Sequence, residues 1–228
     1  MAHYLRAYQK THTNELATAQ VDGAVTLAGT PPDGDVLDAP CGAGRHSRAL
    51  AASGHHVTGV DSSQDMLDAA RAVHAPAGVQ WVRADYRDLP FRAGTFDTVL
   101  NLFTSFGFCG DDGDQAVLDE FQRVLRPGGR LVMDTTHRDR VISELAAENR
   151  TDVAGQAGET TWDVHSGWMH MSLLDRTDGH RSVSRIRVYT PSELDRMLVR
   201  AGFREVSVFG GLDGRPLGRR TRLVVVAA

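Results

Sequence analysis

Two acids and two glycines mark a place where this chain can hold a ligand. Residues Val36 to Ser47 read Val-Leu-Asp-Ala-Pro-Cys-Gly-Ala-Gly-Arg-His-Ser. A short apolar stretch ends in Asp38, a tight turn follows with Gly42 and Gly44, and a helix opens at Arg45 and His46. Glycine is needed where the backbone turns sharply and a ligand lies against it with no Cβ in the way. The amides that begin the next helix then face that ligand. Asp38, ahead of the turn, can accept hydrogen bonds from a ligand ammonium. Asp61 ends Val-Thr-Gly-Val-Asp, about 20 residues past the glycines, where an acid can take both hydroxyls of a ribose. Ser62 or Ser63 caps the helix that follows, and Met66 either covers an adenine face or fills the core. The third glycine of a dinucleotide fingerprint is replaced by Ser47, which argues against a pyrophosphate ligand.

Three more segments follow in order: Asp85 in Val-Arg-Ala-Asp-Tyr-Arg-Asp-Leu-Pro, then Phe96-Asp97-Thr98-Val99-Leu100-Asn101, then Leu125-Arg126-Pro127-Gly128-Gly129-Arg130-Leu131. From Val36 to Asp134 this succession resembles the class I S-adenosylmethionine-dependent methyltransferases. The Pro-Cys-Gly-x-Gly-Arg-His turn is similar to that of a subgroup of small bacterial enzymes of this kind. The resemblance implies S-adenosyl-L-methionine as cofactor and S-adenosyl-L-homocysteine as product. It implies a cofactor turn built from Asp38, Ala39, Pro40, Cys41, Gly42 and Gly44, with Arg45 forking the methionine carboxylate or standing on the surface. Asp61 and Ser62 then serve the ribose, and Met66 with Ala84, Asp85 and Tyr86 serves the adenine. Asn101, Leu102 and Phe103 lie beside the sulfonium, and Tyr8, with Tyr4, closes from the N-terminal segment. Asp97 and the glycines at 128 and 129 are structural in such proteins. His46 stands where the family has its third glycine, a position that only opens the helix. Phe103, Phe106 and Phe108 are read as aromatic faces for a sulfonium, as plain core or as walls of an acceptor pocket.

A methyl on a sulfonium is already on a good leaving group, so the protein must chiefly align the acceptor and exclude water. A base is needed only for an acceptor that is protonated at neutral pH. His137, in the loop after the fifth strand, is the first candidate; the competing role is a helix start or a surface residue. His165 and His170 lie beside Trp162 and Trp168 and either line an acceptor pocket or face solvent. His12 is a further candidate. The spacing of His, Cys and Asp suggests no metal site. Cys41 and Cys109 are the only cysteines, too few for a disulfide framework, and Cys41 reads as a packing residue.

Positioning these residues requires strands that end on one edge. Strands are expected at 35–39, 56–60, 80–83, 98–102 and 130–134, and helices at 14–28, 46–53, 64–73, 114–125 and 191–201. Apolar residues on both faces of short strands, alternating with helices, predict a doubly wound, mostly parallel sheet. Strands at 205–209 and 223–227 add an antiparallel C-terminal hairpin, completing a seven-stranded Rossmann-like sheet. Residues 139–189 form an inserted flap of two or three antiparallel strands, with a hairpin turn at Asp178-Gly179. Residues 1–30 form an N-terminal helical lid, and 1–228 a single domain.

The 228 residues suffice for one such domain. A formal charge of −4, from 25 basic and 29 acidic side chains, argues against a nucleic-acid partner. The basic cluster Arg215, Arg219, Arg220 and Arg222 is read as a solvated loop or as a rim for an anionic acceptor. No apolar run is long enough for a membrane helix, so a cytoplasmic location with no membrane partner is expected; a homo-oligomer is left open. The expected reaction is methyl transfer to an oxygen or nitrogen of a small-molecule acceptor. The alternatives are an RNA or protein methyltransferase, which predicts a basic face or added domain, and a cofactor-binding scaffold without chemistry.

Overall fold

The computed structural model describes residues 13–73, 78–147, 150–153, 156–175, 179 and 181–228. Tyr4, Tyr8, His12 and the turn residue Asp178 lie outside them. Helix α1 (Asn14–Ala28) starts where the Thr13 hydroxyl accepts the Leu16 N–H at 3.2 Å and stops at left-handed Gly29. Then β1 (Asp35–Asp38), α2 (Arg45–Ala52), β2 (His56–Asp61), α3 (Gln64–Ala72), β3 (Val79–Arg83), β4 (Phe96–Asn101), α4 (Gly110–Val124) and β5 (Leu125–Thr135) alternate. After α5 (Arg138–Ala147) come β6 (Arg150–Val153), β7 (Gln156–Asp163), β8 (Trp168–Asp175) and β9 (Arg181–Arg187). The chain ends with α6 (Pro191–Ala201), β10 (Val206–Phe209) and β11 (Leu223–Ala227).

Seven strands form one sheet in the order β10-β11-β5-β4-β1-β2-β3, parallel except for β11, which is antiparallel to β5 and β10. Both faces are covered, because successive residues of each central strand go to opposite cores. Val36, Val57, Leu100 and Val224 pack with Val21, Ala24 and Leu50 of the helices on one side. Leu37, Val60, Val99 and Val225 pack with Phe121, Leu194 and Leu198 on the other. The strand order reverses between β1 and β4, so the crevice outside their carboxyl ends is where such a sheet binds ligands. Asp38 and Asn101 flank it. At the opposite end, Asp97 takes the Asp35 N–H at 2.9 Å and an Arg126 nitrogen at 2.7 Å, a purely structural clasp.

Gly23, inside α1, is set by packing. A Cβ there would stand 2.3 Å from the carbonyl oxygen of Leu212. Helix propensity alone makes Gly→Ala stabilising by about 1 kcal/mol, yet here it forces backbone apart. Gly23→Ala is expected to destabilise the protein by about 2 kcal/mol, seen as a lowered urea midpoint; an unchanged or raised midpoint would refute the packing explanation.

The inserted region differs from expectation in two ways. It has four antiparallel strands in the order β6-β7-β8-β9, not two or three. It also begins with α5, which was not among the expected helices. Val141 is buried in the cluster with Met169 and Ile186 while neighbouring Ile142 is exposed, so α5 rests on the second sheet by one edge. The inner face of this sheet carries Trp162, Met169, Met171 and Ile186, which gather around Val141 and Val188. Among the described residues no helix is long and apolar enough to cross a membrane.

Candidate functional site

The turn after β1 is fastened to both neighbouring strands. The Ala39 N–H reaches Leu100 O at 2.9 Å, and the Cys41 N–H reaches Val60 O at 2.7 Å. The Asn101 side-chain amide donates to Ala39 O at 2.9 Å. Pro40 follows a cis peptide bond. Gly42 (φ +54°) and Gly44 (φ +75°) are both left-handed, as their residue type permits, but their surroundings differ. No atom lies within 4 Å of where a Cβ on Gly42 would stand. A Cβ on Gly44 would stand 2.2 Å from the Trp81 ring. Gly42 therefore keeps an open face, and Gly44 makes room for an aromatic ring. The same ring lies 2.7 Å from a Cβ position on Gly59. Trp81 is thus a wedge on the edge strand β3, and the sequence reading missed it. Gly44 offers no side-chain cap to α2, so the first amides of that helix adjoin the open turn.

Asp38 is buried, and the Ser47 hydroxyl donates to it at 2.5 Å. Ser47, the residue in place of a third glycine, is thus the partner of the site's most buried acid. Burial pushes the Asp38 carboxyl up to about 7, against the Ser47 hydrogen bond and the nearby Arg45 charge, which pull it down. Cys41 is buried and burial holds its thiol far above the usual range, as befits a packing residue rather than a nucleophile. Arg45 stacks its guanidinium 4.5 Å from the centre of the Phe103 ring.

Asp61 is buried with one oxygen on the Gly42 N–H at 2.9 Å and the other on the Ser63 N–H at 2.8 Å. It thereby joins the glycine turn to the start of α3. Ser63 is the cap, accepting the Met66 N–H; Ser62 is exposed, and Met66 is buried. Ala84 follows β3 and hydrogen-bonds Asp61 O through its N–H at 3.3 Å. Asp85 is partly exposed and its carboxylate is engaged by Arg87, with contacts from 2.5 to 3.1 Å. That pairing lowers the Asp85 pKa. The Tyr86 hydroxyl turns inward to the Cys109 sulfur at 3.4 Å.

Beyond Asn101, whose side-chain oxygen is buried with no hydrogen-bond partner among the described residues, the chain does something unusual. Leu102 is buried, and Phe103 (φ +62°) and Thr104 (φ +60°) are both left-handed. Asp134, at the end of β5, holds both: its carboxylate takes the Phe103 N–H at 3.2 Å and its carbonyl takes the Thr104 N–H at 2.8 Å. Arg222 grips Asp134 in turn, by three hydrogen bonds of 2.7 to 3.1 Å. Arg222 is therefore no part of a solvated loop, whereas Arg215 pairs locally with Asp213. His137 is buried with Nε2 3.2 Å from Thr221 O. A carbonyl only accepts, so Nε2 carries the proton and a neutral ring has its lone pair on Nδ1. That Nδ1 is buried with no hydrogen-bond partner among the described residues.

His165 and His170 are both exposed. His165 is exposed in the β7–β8 turn, its N–H on Asp163. His170 is exposed beside Arg185, on the face of β8 opposite buried Met169. The second sheet is instead tied down by Arg187, whose N–H meets Gly107 O at 2.8 Å, and by the nearby Tyr189 hydroxyl on buried Asp114 at 2.8 Å. Among the described residues no group of three or more His, Cys, Asp or Glu is gathered for a metal.

Residues 36–129 match the family model described as "Methyltransferase domain". A demethylmenaquinone methyltransferase of Clavibacter sepedonicus is 43% identical over 112 residues, covering 48% of this chain and 44% of that protein. The chain thus spans under half the length of the first curated relatives it matches. Among solved structures, the CcbJ methyltransferase from Streptomyces caelestis superposes with a TM-score of 0.80 at 22% identity, covering 97% of this chain and 94% of that one; at that identity the likeness speaks for the fold. CalS10 of Micromonospora echinaspora, solved with S-adenosylmethionine bound and described as an amino pentose methyltransferase, gives a TM-score of 0.72 at 26% identity, covering 98% and 95%.

Proposed function

We propose that this chain, which carries a class I S-adenosylmethionine-dependent methyltransferase domain, moves the methyl group of S-adenosylmethionine to an oxygen or nitrogen of a small-molecule acceptor. The observation that carries the reading is the carboxyl edge of β1, β2 and β4. There Asp38 begins the turn, Asn101 holds the Ala39 carbonyl and keeps a buried, unpartnered oxygen, and Asp61 holds the Gly42 N–H, with the Cβ position of Gly42 open. Those groups fit an adenosyl amino acid: an acid for its ammonium, an acid for its ribose, a Cβ-free surface and a buried acceptor awaiting a donor.

When bound, the cofactor supplies a methyl on a sulfonium. Asp61 accepts from the ribose hydroxyls while keeping the Gly42 and Ser63 amides. Asp38 would hold the ammonium, and Arg45, on the Phe103 ring, would hold the carboxylate. Asp85, on exchanging Arg87 for the adenine amino group, completes that end with the Ala84–Tyr86 backbone. A proton on the acceptor passes to His137 Nδ1, because Thr221 holds the opposite nitrogen. The second sheet, tied to the loop after β4 by the Arg187 N–H on Gly107 O, would roof the acceptor side. The small acceptor is favoured over RNA by the charge of −4, and by relatives described as a demethylmenaquinone methyltransferase and an amino pentose methyltransferase.

Calorimetric titration with S-adenosylhomocysteine tests the cofactor site, and transfer of tritiated methyl to a panel of amino sugars and phenols tests the chemistry. His137→Ala should slow transfer by about 100-fold or more and leave S-adenosylhomocysteine affinity within about twofold. Full activity in that variant would remove His137 as base. Binding with no transfer to any acceptor would favour a scaffold.

A further inference from the structure

We infer that Arg222 is a positioning residue for the cofactor site, holding the left-handed Phe103–Thr104 backbone in place through Asp134. The inference rests on the proposed cofactor site and goes beyond it, because Arg222 lies about 120 residues away from that loop in sequence and belongs to none of the motifs.

Thr104, a β-branched residue at φ +60°, is a genuine outlier, and Phe103 before it is also left-handed. Two such residues in a row persist only where the surroundings over-determine them. The restraint is Asp134, which accepts one amide on its carboxylate and the next on its carbonyl. Asp134 is itself 3% exposed, and a buried carboxylate needs a cation and hydrogen bonds to stay charged and fixed. Arg222 supplies both: Nε to one carboxylate oxygen at 2.7 Å, Nη2 to the other at 3.0 Å, and Nη2 to the carbonyl at 3.1 Å. Its guanidinium carbon also lies 5.8 Å from the centre of the Phe103 ring. Arg45, at the start of α2, stacks on that same ring at 4.5 Å. The chain of contacts therefore runs from the C-terminal strand, through a strained loop, to the arginine that adjoins the glycine turn. The preceding residue, Thr221, holds His137, so one short stretch steadies both sides of the candidate site.

The test is a double-variant cycle read by calorimetric titration of the full chain with S-adenosylhomocysteine. Arg222→Ala should weaken binding about tenfold. Thr104→Gly alone should leave binding within about twofold, since glycine adopts this backbone without restraint. The double variant should recover to within about threefold of the parent, because the loop no longer needs to be held. A role confined to global stability would lower the melting temperature of both Arg222→Ala proteins and leave the affinity of the folded protein at the parent value. Should Arg222→Ala not fold, the Asp134→Asn/Arg222→Met pair removes the charge together with its partner and enters the same cycle. Parent-like affinity after loss of Arg222, or no recovery with Thr104→Gly, overturns the inference while the cofactor reading stands. Failure of the parent protein to bind S-adenosylhomocysteine overturns both.

Discussion

Asp61→Ala will lower the affinity for S-adenosylhomocysteine by about 100-fold, equivalent to about 2.7 kcal/mol. The side chain does two jobs from one buried position. Its two oxygens accept the Gly42 and Ser63 amides at 2.9 and 2.8 Å, which shapes the glycine turn and starts α3. Each oxygen has a further lone pair for a ribose hydroxyl. Hydrogen bonds to a charged acceptor contribute about 1.5–3 kcal/mol each, so losing the diol contacts alone accounts for the fall, and the slackened turn adds to it. Asp61→Asn should lie between the two, since the amide retains one acceptor oxygen. Calorimetry on the three proteins checks the order; equal affinities would remove Asp61 from the site.

Asp38→Asn should make the ligand-free protein more stable at pH 8 and a poorer binder. Burial raises the Asp38 pKa from 3.8 to about 7. The folded state therefore holds the proton more tightly than the unfolded chain, and stability declines as pH rises through the interval between those values. Above pH 7 the full penalty is present. At about 1.4 kcal/mol per pH unit it amounts to about 4 kcal/mol as an upper bound. The asparagine carries no charge, and its oxygen can still accept the Ser47 hydroxyl. Its advantage in urea unfolding should grow between pH 5 and pH 7, reach about 2 kcal/mol and level off above. Affinity for S-adenosylhomocysteine should drop at least about tenfold, because the ammonium loses its counter-charge. In the parent protein the same affinity should weaken below pH 7, as Asp38 takes up a proton. A variant no more stable at pH 8 than the parent would contradict the account of this acid.

The parts of the molecule legible in the sequence are those where local pattern and global fold agree. The strands that carry Asp38, Asp61 and Asn101 are apolar on both faces and end in a polar residue, so both the doubly wound sheet and its ligand edge could be read directly. α6 announces itself with Thr190, Pro191 and Glu193, a capping box that the structure contains. What could not be read depends on contacts between distant residues. Gly42 and Gly44 look equivalent in sequence, yet only the presence of Trp81 makes one open and the other filled. Ser47 reads as a missing glycine until its hydroxyl is found on Asp38. Arg222 looks like one of four loop arginines, and only the antiparallel entry of β11 beside β5 brings it to Asp134. α5 carries Val141, Ile142 and Leu145 at helical spacing and was legible; β6 was not, because Arg-Thr-Asp-Val has a single apolar side chain. His165 and His170 were drawn by their neighbouring tryptophans, but strand alternation sends His170 to the face away from Met169. Asp85 is where the motif predicts it, though Arg87, two residues on, holds its carboxylate in the ligand-free chain.

The central claim is that the carboxyl edge of β1, β2 and β4 holds one adenosyl amino acid. An experimental structure of the protein with S-adenosylhomocysteine tests it most directly. The account predicts the ribose hydroxyls on the Asp61 carboxylate, the amino group against Asp38, and the backbone of Gly42 lying against the ligand. A ligand bound elsewhere, or bound here with Asp38 and Asp61 touching none of its atoms, would contradict it.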